Sequence, residues 1–119
     1  MKTLRTMKGI VWKPGLRVII RIDADVAMKG GRISEDFRIR QALPTIRESL
    51  RHKAHIRIIS HRGRPKGAPL ASLTQRPISL CLSRLLKKKV VFVKDPFSKS
   101  AFTALNKSSD ILFFENIRF

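Results

Sequence analysis

Four short runs of β-branched and aromatic residues constrain this chain most: LRVIIRID at 16–23, HIRIIS at 55–60, VVFV at 90–93 and ILFFEN at 111–116. Each is bounded by turn-forming residues, which is the signature of a buried strand. The stretches between them change period. Phe37, Ile39, Leu43, Ile46 and Leu50 recur at helical spacing, with Ser34 placed to cap and Glu35 and Asp36 in the first turn. Pro44 predicts a kink in that helix. Leu73, Ile78, Leu82, Leu85 and Leu86 approximate one apolar face of a second helix, with Ser72 as its cap. A short third helix is expected to start near Pro96.

The order β-α-β-α-β-α-β with short apolar strands predicts an α/β domain, a Rossmann-like parallel sheet with helices on both faces. At 119 residues there is room for one domain with one core, and there is no internal repeat. A buried fourth strand needs a covering element after it, so the domain is expected to be incomplete. In such sheets, ligands sit outside the carboxyl ends of the strands. Asp23 and Asp25 follow the first strand, His61 and Arg64 the second, and Asn116 and Arg118 the fourth.

The stretch IISHRGRPKG, 58–67, runs from a strand into a cationic loop held by glycines and a proline, which suggests an anion site. Lys and Arg number 26 against 8 Asp and Glu, a formal net charge of +18, so anionic partners are expected. KGGR lacks the phosphate-binding P-loop pattern and reads as a flexible turn. His52 and His55 read as structural, and no spacing suggests metal ligands. Phe97, Phe102, Phe113 and Phe114 read as core. The single cysteine, Cys81, falls in an apolar helical pattern and reads as a buried structural residue of a cytoplasmic protein. The basic start is a poor signal peptide, and no segment approaches transmembrane length.

RVIIRIDADVAMKGGRISEDFRIRQALPTI, IISHRGRPKG and ILFFENIRF resemble, in order and spacing, the N-terminal domain of phosphoglycerate kinase, with its VRVDFNVP, DxRIxxALPTI, SHLGRPKG and LLLENLRF patterns. The resemblance covers nearly the whole chain. It implies an enzyme that reversibly moves the acyl phosphate of 1,3-bisphosphoglycerate to MgADP, giving ATP and 3-phosphoglycerate, in glycolysis. It also implies that residues 1–119 are a partial 3-phosphoglycerate-binding domain, that the C-terminal nucleotide-binding lobe is absent, and that MgATP and MgADP bind to that lobe. The substrate residues it implies are Asp23, Ala24, Asp25, Arg38, His61, Arg62, Gly63, Arg64 and Arg118, with Arg38 reaching the transferring phosphoryl group as the catalytic residue. No cofactor or metal is expected on this chain itself, which is expected to be a monomer without kinase activity alone.

The chain departs from the family pattern at several positions. Asp25 stands in place of an asparagine, bringing a second carboxylate toward an anionic ligand, which is expected to weaken binding. Arg62 stands for a leucine and adds charge to the loop, while Ala24 and Ala27 replace a phenylalanine and a proline. Lys53 stands for a helix-end glycine and is expected to carry a positive φ at a steric cost. Two other readings stay open: a small basic nucleic-acid-binding protein, supported by the charge and a pI near 11.6, and a truncated fragment without function.

Overall fold

A computed structural model describes residues 3–107 and 110–119. Its sheet has four parallel strands, β1 (Arg17–Arg21), β4 (His55–Ile59), β5 (Val90–Val93) and β6 (Ile111–Phe114), in the spatial order β1-β4-β6-β5. Val18 lies opposite Ile56, Ile58 opposite Phe113, and Phe113 opposite Phe92. Between β1 and the first helix, β2 (Met28–Lys29) and β3 (Arg32–Ile33) form a small antiparallel hairpin. Gly30 and Gly31, with φ of 57° and 74°, make its two-residue turn, so the KGGR stretch is a built hairpin and not a flexible turn.

Side chains alternate across each strand, and this sorts the helices onto two faces. Ile56 and Ile58 of β4 and Phe113 of β6 point toward α1 (Phe37–Arg51) and α2 (Arg76–Leu86), joining Ile39, Leu43, Ile46, Ile78, Cys81 and Leu82 in the core. Arg57 points to the other face, where its guanidinium donates to the carbonyls of Leu105 at 2.8 Å and Asp110 at 3.2 Å. Those carbonyls belong to the end of α3 (Lys99–Lys107) and the turn into β6, so a buried arginine on a central strand anchors the third helix. Burial, with the Arg17 charge nearby, pushes the Arg57 guanidinium down from its ordinary value. On the outer strand β1, Arg17, Ile19 and Arg21 are exposed, and charges of this kind discourage edge-to-edge pairing. No helix among the described residues is long and apolar enough to cross a membrane.

The predicted caps and some predicted core residues are displaced. Ser34 does not cap α1: its hydroxyl donates to Ala27 O at 3.0 Å and closes the hairpin, while Asp36 occupies the cap position. Ser72 lies in a 3-10 turn, and α2 starts at Arg76 with Pro77 in its first turn. α1 continues through Pro44 as one helix of 15 residues, with Pro44 on its exposed side where water reaches the carbonyl that loses its donor. Phe37, Phe97 and Phe102 are exposed, while Phe113 is fully buried. The ring of Trp12 stacks on His52 at 4.5 Å, and His52 and Arg51 both bond Glu48, holding its carboxyl down at about 2 from the ordinary 4.5.

Lys53 has the expected left-handed backbone, with φ of 57°. Its N–H donates to Leu50 O and the N–H of Ala54 to Ser49 O, closing α1 in the way a glycine usually does. A side chain in this region costs roughly 1–2 kcal/mol. Lys53→Gly is therefore expected to raise stability by about 1 kcal/mol, read as a higher urea midpoint at unchanged slope. A lower midpoint would show that the lysine makes a compensating contact.

Candidate anion site at the carboxyl edge of the sheet

The loops leaving β1, β4 and β6 meet at the carboxyl ends of the strands. The loop from β4 leads to α2 on one face and that from β5 to α3 on the other, with β6 between them, which creates a crevice at this edge.

After β1, the Asp23 carboxylate accepts the N–H of Asp25 at 3.3 Å in a local turn. Arg38, in the first turn of α1, crosses to this loop. Its guanidinium donates to Asp25 O at 2.9 Å and lies 3.4 Å from Asp23 Oδ1. Both side chains are more than half exposed, so water screens the pair and leaves Arg38 able to meet an arriving anion.

Asp25 answers for the missing asparagine in a way its charge does not suggest. Its Oδ1 accepts the N–H of Gly63 at 3.1 Å, tying the β1 loop to the glycine-rich loop. Gly63 O in turn accepts from the Arg118 guanidinium at 3.2 Å, which brings in the end of β6. Gly63 has a φ of 65°, and a Cβ there would sit 2.7 Å from Leu73 Cδ2, so any other residue would bring backbone strain and displace the Leu73 side chain behind the loop. Arg64 is exposed, with no hydrogen bond or ion pair among the described residues. His61 is half-buried, and its Nδ1 is sealed from solvent without a partner among the described residues.

Two of the nine sequence-derived site residues do not present their side chains to this edge. Ala24 is fully buried. Arg62 is buried as well, and its guanidinium turns inward to Gln75 Oε1 at 3.2 Å and to the carbonyls of Ser72 and Thr74 at 2.8 and 2.9 Å. The expectation that Arg62 adds charge to the loop surface is corrected accordingly: it is a strut beneath the loop. Burial pushes its guanidinium down from the ordinary value, and the charges of Asp25 and Glu115 push it back up.

The strut rests on Glu115 and Gln75, which sequence reasoning passed over, and on Asn116, which it placed at the strand end without a role. Buried Glu115 accepts the Thr74 hydroxyl at 2.6 Å and the N–H groups of Gln75 and Asn116 at 2.7 and 2.8 Å, placing a carboxylate at the amino end of α2. Gln75 is also buried and donates to Ser60 Oγ at 2.9 Å. Asn116 donates to Arg62 O at 2.7 Å and Leu73 O at 3.0 Å. The available signal was an acidic residue ending an apolar strand in a chain with only eight acids. A cavity of ≈ 840 Å³ borders this network at Thr74, Glu115 and Asn116; Arg76 and Lys94 line it, but Leu70, Phe92, Phe97, Ile117 and Phe119 make its walls mainly apolar.

The phosphoglycerate kinase family model matches residues 11–119. The chain is 40% identical over 116 residues to the glycosomal phosphoglycerate kinase of Leishmania mexicana, covering 87% of this chain and 24% of that protein. It is 40% identical over 118 residues to the cytosolic phosphoglycerate kinase of Crithidia fasciculata, covering 88% and 28%. The structure of phosphoglycerate kinase from Coxiella burnetii superposes with a TM-score of 0.78 at 33% identity, over 95% of this chain and 28% of that one. The chain thus spans about a quarter of the length of these relatives. With the parallel sheet, the strand-end loops and the sequence match in agreement, the chain belongs to the phosphoglycerate kinase family.

Proposed function

We propose that residues 1–119 form part of the lobe that holds 3-phosphoglycerate or 1,3-bisphosphoglycerate in a phosphoglycerate kinase. The observation that supports this reading is a chain of contacts at one sheet edge: Arg38 meets Asp23, Asp25 accepts from Gly63 of the cationic loop that carries His61 and Arg64, and Arg118 donates to Gly63 O. Arginine forks match carboxylate and phosphate geometry in two parallel hydrogen bonds, and they hold a small acid in a fixed orientation. Asp23 accepts the substrate hydroxyl. Arg38 leaves its screened contact with Asp23 and meets the phosphoryl group, where a fixed positive charge stabilises charge on the transferring oxygens.

MgADP, in this reading, belongs to the part of the family enzyme outside these residues. Asp23 and Asp25 are engaged by Arg38 and Gly63 and Glu115 by Thr74, Gln75 and Asn116, and no group of three or more potential ligands among the described residues could hold a metal, so no step here is assigned to one. The unpaired, buried Cys81 suits a reducing cytoplasmic compartment.

Calorimetric titration with 3-phosphoglycerate tests the reading. Arg38→Ala and Arg64→Ala are each expected to weaken binding about 10-fold or more, since hydrogen bonds to charged groups contribute about 1.5–3 kcal/mol. Unchanged affinity in both variants would overturn it.

A further inference from the structure

The helical layer carries a second concentration of positive charge, well separated in role from the strand-end loops. On α1, Arg40, Pro44, Arg47 and Arg51 follow one another at steps of four, three and four, and all are exposed. On α2 and its end, Arg76, Leu80, Arg84 and Lys87 do the same at steps of four, four and three, with the Arg76 guanidinium laid over the Phe92 ring at 4.7 Å and Arg84 and Lys87 carrying the row's outward charge. Residues at this spacing share one helix face about 5–6 Å apart, so each row runs for roughly 16 Å. The rows are joined where the Arg47 guanidinium donates to Leu85 O at 3.5 Å.

Charge on this face is poorly compensated. Arg40 is paired with Asp36 and Arg51 with Glu48, but Arg47, Arg84, Lys87 and Lys88 have no carboxylate within ion-pairing distance among the described residues. α2 contains no acidic residue at all. Glu35 and Asp36 share a cleft of ≈ 280 Å³ with Arg84 without reaching it as an ion pair. The carboxyl end of α2 favours nearby cations through the helix dipole, which accounts for one or two of them but not for the α1 row.

A second observation is independent of the rows. Among the described residues, the three non-glycine residues with positive φ are all lysines: Lys53, Lys66 and Lys87. Lys53 and Lys87 close α1 and α2 at positions where glycine removes the steric cost. Positive charge is thus kept at backbone positions where it lowers stability, which points from strain to use.

We propose that the exposed faces of α1 and α2 form a second anion surface that binds the phosphate backbone of nucleic acid without reading its sequence. Each row is long enough to span roughly five base-pair steps of duplex axis at 3.4 Å each. Leu80 among the α2 charges and Phe37 ahead of Arg40 on α1 are the exposed large apolar side chains of these two helices among the described residues, and two isolated side chains give a lipid bilayer little to hold by insertion.

The test is fluorescence anisotropy with a labelled duplex of random sequence at graded salt. Wild type is expected to bind with affinity that falls steeply with salt. Arg47→Gln/Arg84→Gln/Lys87→Gln is expected to lose affinity at least 10-fold and to flatten the salt slope by about two to three units. A control removing the same charge from the α3 side, Arg17→Gln/Arg21→Gln/Lys99→Gln, is expected to change affinity less than 3-fold. Lys87→Gly separates binding from folding: it is expected to raise the melting temperature while weakening binding. Excess 3-phosphoglycerate is expected to leave the duplex bound. Equal losses in both triple variants, displacement by 3-phosphoglycerate, or binding to phosphatidylserine vesicles without binding to the duplex would each overturn the proposal.

Discussion

Glu115→Ala is expected to lower the unfolding free energy by about 3–5 kcal/mol, since it strips the acceptor from three donors and each buried donor left unsatisfied costs about 1–3 kcal/mol. The carboxylate is the common acceptor for Thr74, Gln75 and Asn116 at 2.6–2.8 Å, and its charge offsets that of buried Arg62. Alanine leaves these donors without an acceptor at the amino end of α2 and leaves the Arg62 guanidinium with neutral carbonyls, Gln75 and the more exposed charge of Asp25. Because a whole domain has about 5–15 kcal/mol in hand, much of the chain would unfold. Urea unfolding checks this. Arg62→Leu, which removes the cation and restores apolar packing, is expected to be far milder than Glu115→Ala. A loss below about 1 kcal/mol for the alanine variant would contradict the assigned role of Glu115.

Phe113→Ala is expected to cost about 3–5 kcal/mol for a different reason, since it removes a large ring from a core that cannot fully collapse. Phe113 is fully buried on β6, flanked in register by Ile58 of β4 and Phe92 of β5. Loss of the ring loosens the strand that delivers Glu115 and Asn116 to the site. The folded fraction should therefore still bind 3-phosphoglycerate, with apparent affinity falling in proportion to the population unfolded. Calorimetric titration at two temperatures separates these effects. Full stability of this variant would show that β6 is not the centre of the sheet.

The strands and the two long helices were legible because period alone separates a residue facing the sheet from one facing water. Ile56, Ile58, Ile78 and Leu82 are buried where the pattern puts them. Lys53 was legible too, since a helix end demands one backbone shape whatever residue stands there. The caps failed because Ser34 and Ser72 are adjacent in sequence to helix starts but are held by the hairpin and by Arg62. The two buried arginines were illegible for a related reason. Arg57 and Arg62 are satisfied by carbonyls between 10 and 53 residues away, and no local pattern announces such a partner.

At the site, Asp23, His61, Arg64 and Arg118 follow strand ends and are expected at one edge from strand order, whereas Arg38 is singled out only by the family resemblance. That Arg62 turns inward depends on Gln75, Ser72 and Thr74, which only the folded chain brings beneath it. The role of Asp25 was hidden in the same way, because its acceptor oxygen meets Gly63 across 38 residues.

The most direct measurement is a two-dimensional amide NMR titration of the chain with 3-phosphoglycerate, alongside a parallel titration with sulfate at matched ionic strength. The account expects dispersed peaks and saturable shifts confined to the loops around Asp23, Arg38, Gly63, Arg64 and Arg118, with sulfate needing at least 10-fold higher concentration. Shifts of equal size and affinity with sulfate, or shifts spread over the whole chain, would contradict a substrate site at this edge.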